Sequence, residues 1–357
     1  MTKLSPFNPT HKDLPEDSGV CKLNNFALFE GSDPMDKPDP GCPEAIENLE
    51  KYNQQLKDEG KKPLNTHFYF LSEIEDVIGG CQNLPCFLKA VANTKYSNAT
   101  LIIDKVCHLS EPLVIPSRFT LAGVGIDGEG QLIFNNLPDG VSAIGLDQAA
   151  TNITIRDLAI GRVGGGVNIG IDVSRANKVF IRDVIITGFF AGIYGSRPGS
   201  LALSVYVDRS SIFGNDYNIV MHRNAFHWRI RDCILNQAKC WGLLIFGKDN
   251  DPVPPPENNM VWGNDYLISG CRFEGSGIGG ALLGSHAAML MNNRFEQNGG
   301  VNGIGVKILP SGTATRMVSN VFSANKVLDE SKEPEWECQP WDKLCWQTKR
   351  WGDIETP

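Results

Sequence analysis

The chain has 357 residues, a net charge of −8 at pH 7, 41% apolar residues and 37 glycines. Such a length and apolar content can bury a large continuous core, and the acidic balance argues against a general nucleic-acid binder. No run approaches the ~18 consecutive apolar residues of a membrane-spanning helix, so no membrane partner is expected. The opening MTKLSPFN lacks the apolar core of a signal peptide. Two expectations therefore stand, a secreted or periplasmic protein whose leader has been removed, or a cytoplasmic one.

Residues 1–42 are rich in Pro, Asp, Asn and Ser. They are expected as an extended surface arm, held through Cys21 and Cys42 where the environment oxidises thiols. From Pro43 to Gly60 the pattern turns helical. Pro43 suits a first helical position, Gly60 the position just past the end, and Ile46, Leu49, Tyr52 and Leu56 make one apolar stripe. A second helix is expected over Leu84–Asn93.

Beyond it one phrase recurs: ITIRDLAI from Ile153, VFIRDVIITG from Val179 and VYVDRSSIFG from Val205, with further copies from Trp228, Tyr266, Leu290 and Met317. Their last apolar residues are Ile160, Ile186, Ile212, Leu235, Phe273, Phe295 and Phe322, separated by 26, 26, 23, 38, 22 and 27. A period of about two dozen residues implies a solenoid. A second phrase alternates with the first, from Ala143, Gly170, Gly192, Asn218, Gly242, Gly280 and Gly303. Within the phrases apolar residues alternate with period 2, which predicts two short strands per turn joined by Gly- and Asn-rich corners. Stacked coils of this kind are a parallel β-helix.

The long interval holds Lys248–Asp265, whose prolines cannot join a strand ladder. It is expected as a loop walling a ligand groove. The tail from Val327 carries Trp336, Trp341, Trp346 and Trp351. It is expected to cover the last coil or to reach a neighbouring subunit.

Residues 96–326 resemble the pectate-lyase-like right-handed β-helix proteins, and the opening rung is similar too: TLIID from Thr100, PLVIP from Pro112 and FTLAGVG from Phe119. The resemblance implies an all-β, single-stranded right-handed parallel β-helix with an N-terminal helical cap. Residues 1–95 would form the arm and cap, 96–326 the coils and 327–357 the tail; a homotrimer is compatible with this fold. The superfamily hosts lyases, hydrolases, epimerases, fructotransferases, tailspikes and inert scaffolds, so the fold leaves the function open. The chain has neither the Asn-Thr-Asp, Asp-Asp and Gly-His-Gly set of polygalacturonases nor the Arg-x-Pro-x-x-Arg of the main pectate lyases. The Tyr-Gly-Phe-Asp-Pro-His-Asp of alginate epimerases is missing as well.

Of the ten cysteines, Cys81 lies near Cys86 and Cys338 near Cys345. Cys233 and Cys271 share a register in successive copies, so they are expected to stack, either as a bridge or as two free thiols. No Cys/His cluster has zinc spacing.

Setting Ile171, Ile193, Ile219, Leu243, Ala281 and Ile304 as equivalent puts Arg175, Arg197 and Arg223 in one row four residues later. His222, Lys248, His286 and Lys307 fall beside the row, and Asp172 and Tyr194 follow the anchors. One reading is a groove for an acidic, uronate-containing polysaccharide, gripped by arginines. The other makes these arginines corner residues paired with Asp172, Asp216 and Asp249. Arg156, Arg182 and Arg231, beside Asp157, Asp183 and Asp232, are expected as a structural ion ladder.

A lyase working by β-elimination needs a base and a cation at the enolate-like intermediate. Tyr194, Arg197, His222, Arg223 and Lys248 are its candidate catalytic residues, and Arg175, His286, Lys307, Asp172 and Asp249 its substrate contacts. A glycoside hydrolase or glycosyl (fructosyl) transferase needs paired carboxylates instead. Asp172, Asp249, Asp251, Glu257 and Asp265 form that pool, and calcium would use the same oxygens. A third reading is a non-catalytic carbohydrate-binding or spike-like protein.

Overall fold

The computed structural model describes residues 21, 28, 43–63, 67–92, 98–125, 130–147, 149–195, 201–222, 225–247, 264–299, 303–312, 314–329 and 349–350. The coils carry three parallel strands per turn, one more than the alternation predicts. They stack into a first sheet of 11 strands, a second of 10 and a third of 9 among the described residues. The extra strand arises because each copy of the first phrase bends in the middle. Thr151–Arg156 lies in the first sheet and Ala159–Val163 in the second.

The bend sits at Asp157, with φ 54°. Its equivalents Asp183, Arg209, Asp232, Gly270, Asn292 and Ser319 also have positive φ, from 47° to 65°. Each directly follows a residue of one register column, Arg156, Arg182, Asp208, Arg231, Ser269, Met291 and Val318. Short polar side chains tolerate the left-handed conformation by bonding locally, so most of these corners carry no glycine. The only trace of the turn in the sequence is a single step of three between buried positions, Ile155 to Leu158 and Ile181 to Val184, in otherwise period-2 runs.

The stacking of the first phrase is as predicted. Ile160, Ile186, Ile212, Leu235, Phe273, Phe295 and Phe322 are consecutive register partners in the second sheet. The last three rings stack with centroids 4.6 and 5.0 Å apart. A Cβ on Gly280 would meet Phe295 Cδ1 at 2.7 Å and the Gly305 carbonyl at 2.6 Å, so close packing against this stack demands glycine there. Buried corners are satisfied by side-chain ladders. Asn298 Nδ2 donates to the Phe273 carbonyl at 3.0 Å and to Asn325 Oδ1 at 2.9 Å, and Asn293 bonds Ile268 and Asn320 in the same way. Each ladder amide thereby meets the requirement that buried polar groups be paired.

The cap contains three helices: α1 (Pro43–Asp58), α2 (Leu71–Ile78) and α3 (Leu84–Val91). α1 and α3 match the sequence expectation. α2 was not foreseen; it buries Leu71, Ile74 and Ile78 and ends at Gly79, φ 79°. The chain enters the first sheet earlier than expected, since Phe68–Phe70 pairs with Thr100–Ile102. Cap residues such as Leu49, Phe87 and Leu88 are continuous with the core of the coils. A Cys81–Cys107 disulfide ties the cap to the second sheet. At the other end Lys349–Arg350 pairs with Val321–Phe322 and extends the second sheet. The four tail tryptophans lie outside the described residues.

Two further cysteine expectations are resolved. Cys21 is bonded to Cys240, 219 residues away in sequence, and Cys42 lies outside the described residues. Cys233 and Cys271 are buried free thiols. Cys233 Sγ donates to the Val207 carbonyl at 3.4 Å, and Cys271 Sγ to the Ile230 carbonyl at 3.6 Å. Contact with Cys233, and then burial, pushes the Cys271 thiol well above the usual range.

Candidate functional site

The outer faces of the third and first sheets differ in access, and among the described residues Asp172, Tyr194 and Lys307 of the sequence-predicted set lie on the third. There Asp172, Tyr194, Val220, Leu244, Leu282 and Lys307 form one register column. Lys307 therefore does not fall beside the position four residues after the anchors, as the alignment on Ile304 required; Val306, not Ile304, is the partner of Ala281. The segment offers two Gly-apolar pairs, Gly303-Ile304 and Gly305-Val306, and the structure uses the second.

Tyr194 and His222 are brought together. Both are fully buried, the hydroxyl lies 3.2 Å from His222 Nδ1, and the Phe246 ring packs tilted against the imidazole with centroids 4.6 Å apart. Asp172, 4% exposed, accepts from Ser142 Oγ at 3.1 Å, from the Ser174 backbone N–H at 3.0 Å and from Ser174 Oγ. Asp216, proposed above as an arginine partner, pairs with Lys239 at 2.6 Å. Arg175 is half-buried and His286 exposed. Arg197, Arg223, Lys248 and Asp249 lie outside the described residues, as do Asp251 and Glu257. Around the polar groups Ile169, Phe190, Tyr217, Val220, Trp241 and Leu244 form a second apolar core outside the coil, with Cys21 packed on it.

The first sheet presents an open face. Thr154, Phe180, Tyr206, Arg229, Leu267 and Met289 form its central outward column. Phe180 is 41% exposed, and its ring stacks on Tyr206 with centroids 4.9 Å apart and an 11° interplanar angle. One rung on, Arg229 holds Asp265 with Nη2 at 3.0 and 2.9 Å from the two carboxylate oxygens, while its Nη1 donates to the Asp265 carbonyl at 2.8 Å. His227 Nδ1 meets Asp265 Oδ2 at 2.6 Å. Bonds from Arg229 first, and then His227, hold the Asp265 carboxyl below the ordinary aspartate range.

Along the corner edge of this face runs the ion ladder expected from the sequence, with one change of partner. Arg156 pairs with Asp157, and Asp183 takes both Arg182, at 3.4 Å, and Arg209, with Nε at 2.9 Å. Arg231 reaches back one coil to Asp208, at 2.8 and 2.9 Å, rather than to Asp232. Among the described residues no group of three or more His, Cys, Asp or Glu side chains could hold a metal ion.

Sequence reasoning had placed Asp265 in a carboxylate pool but missed Phe180, Tyr206, His227 and Arg229. Aligning the copies of the first phrase would have set Phe180, Tyr206 and Arg229 in one column on the polar side of the alternation, a signal left unused.

Comparison with known proteins bears on this architecture. No family model matches the chain, and no curated protein matches it. Among solved structures it is similar to ORF18 of Geobacillus virus E2, at 12% identity and a TM-score of 0.52, over 80% of this chain and 62% of that one. It is also similar to the gp42 tailspike of Acinetobacter phage vb_AbaP_AS12, at 11% identity and a TM-score of 0.50, over 74% of this chain and 47% of that one. The parallel β-helix expected from the resemblance is the fold observed. The chain thus spans less than two thirds of the length of either of these β-helix proteins. At such identities the likeness concerns the fold alone. No helix among the described residues is long and apolar enough to cross a membrane.

Proposed function

We propose that this β-helix is a carbohydrate-active enzyme that holds a polysaccharide along the outer face of its first sheet. The observation that carries the reading is the open row of Phe180, Tyr206 and the Arg229–Asp265–His227 cluster on successive rungs. Sugars present apolar C–H faces and hydroxyls together, and a rigid surface mixing ring edges with fixed charged donors and acceptors matches both. A strand ladder sets one such side chain about every 4.8 Å, so the face reads an extended chain rather than a small molecule.

A second reading, β-elimination on an acidic glycan at the third sheet, is favoured by the Tyr194–His222 hydrogen bond, a coupled pair suited to proton transfer. It requires the substrate to reach side chains with no solvent exposure, so the first sheet is the stronger site. The disulfides Cys21–Cys240 and Cys81–Cys107 favour an oxidising, extracytoplasmic setting.

Affinity electrophoresis through gels holding acidic or neutral polysaccharides tests the binding face. The Phe180→Ala/Tyr206→Ala double variant should lose retardation while keeping its melting temperature within a few degrees; retention of full binding would move the glycan elsewhere. An ultraviolet-absorbing unsaturated product would transfer the chemistry to the elimination reading.

A further inference from the structure

At the edge of the first sheet the residues preceding the inward anchors form another column. Its members are Arg118, Asn152, Lys178, Ser204, His227, Asp265, Ala287 and Ala314, all with φ between 55° and 62°. Register pairs on either side place Lys178 against Ser204, Ser204 against His227, and His227 against Asp265 on consecutive coils. The left-handed backbone is shared by the whole column, so it is a feature of the coil that turns these side chains outward rather than strain special to one residue.

We propose that Ser204, His227 and Asp265 form a nucleophile–base–orienter row that hydrolyses esters, with O-acyl groups on a bound glycan as the substrate class. The observations are specific. Asp265, fixed by Arg229 in a two-point contact, engages His227 Nδ1 at 2.6 Å. That bond holds the imidazole in one orientation, with Nε2 left for a proton. His227 is exposed, and Ser204, half-buried, stands in register with it on the neighbouring coil, opposite Asp265. Among the described residues Ser204 Oγ has no hydrogen-bond partner, so its rotamer is unconstrained, and such contacts commonly tighten only when substrate binds. Lys178, one coil further, places a cation beside the position where an oxyanion would form.

The chemistry closes with water alone. Ser204 Oγ bonds to the ester carbonyl carbon as its proton passes to His227 Nε2. Collapse breaks the carbon–oxygen bond to the sugar, which leaves as an alcohol carrying that proton. Water then attacks the acyl-serine, gives its proton to Nε2, and releases the carboxylic acid as Oγ recovers the proton. Three residue types in this order along one face are the triad arrangement produced by stacking, with no sequence motif to mark it.

The inference locates its site on the face assigned to the glycan, but its test uses small probes that need no glycan. A fluorophosphonate should add covalently to Ser204, located by peptide mass, and p-nitrophenyl acetate should be hydrolysed. Ser204→Ala should abolish both without shifting the melting temperature. His227→Ala should slow both by at least about 100-fold, the usual contribution of a general base. Asp265→Asn should slow both by at least about 10-fold, since an unoriented imidazole is a poor base. Absence of phosphonylation at Ser204, or hydrolysis undiminished in Ser204→Ala, would overturn the proposal even if His227→Ala proved unstable. Glycan retardation with no labelling would leave the binding face standing and remove the triad. Labelling without retardation would do the reverse.

Discussion

The outer faces of the third and first sheets come from the same coils, yet one is a second core and the other is open. The difference is written in the strands. Third-sheet strands such as AGIYG, YNIVM and WGLLI are apolar at nearly every position and buried throughout. First-sheet strands such as NKVFIR and WRIR alternate, with buried Val179, Ile181, Trp228 and Ile230 between outward Phe180, Arg182, Arg229 and Arg231. Continuous apolar runs mean burial on both faces, and alternation means burial on one. The Cys21–Cys240 bridge fixes Cys21 on the outer apolar cluster of the third sheet. A ligand therefore meets exposed side chains on the first sheet and buried ones on the third.

The strongest way to break this comparison is to truncate one outward residue on each face. Leu244→Ala, at a fully buried outward position of the third sheet, should cost about 2–5 kcal/mol in denaturant titration. Phe180→Ala on the first sheet should cost about 1 kcal/mol or less, the worth of one stacked ring pair at the surface. Equal costs would mean that the two faces are covered alike.

A slightly smaller effect is expected from the bridge. Cys240→Ser should lose about 2–4 kcal/mol of stability. It should also increase binding of a hydrophobic dye, because the outer core around Tyr217 and Trp241 loses a tether. A variant as stable as the parent would show that other contacts hold this outer core alone.

Smaller still is the acid response of the Arg229–Asp265–His227 cluster. The folded Asp265 carboxyl is depressed, so its contribution is complete above the ordinary aspartate value and disappears as pH falls through the lower folded value. Because Asp265 is half-exposed, solvent screening limits the effect to about 1 kcal/mol or less. Asp265→Asn should flatten that part of the stability–pH curve and leave the rest unchanged. The smallest effect concerns Cys233 and Cys271. In the native protein both should resist alkylation, and both should react once denatured, since each is 1% exposed. Fast native alkylation would contradict a tightly packed coil at that point.

Much of the fold was legible because the repeat is a periodic signal. The column from Ile160 to Phe322 needed only a count of residues between apolar positions, and the stack reproduces it. α1 and α3 were legible from an apolar stripe with end signals and from a short apolar helical run. The bend at Asp157 was not, because its trace is one step of three between buried Ile155 and Leu158, with no glycine or proline to mark a corner. The candidate site was less legible still. The register of Lys307 failed on the choice between Gly303 and Gly305, and the arginine row falls mostly outside the described residues. Cys21 found a partner 219 residues away, a pairing that no local pattern records.

By itself the amino-acid order determined the class of architecture, the residues facing inward and the period of the coils, because burying one apolar side chain per rung is a local demand repeated along the chain. Tertiary structure alone brought Ser204, His227 and Asp265 onto one edge. Those three lie 23 and 38 residues apart in sequence but on consecutive coils. Their meeting depends on how many residues each corner absorbs, and only the stacked coordinates set that number.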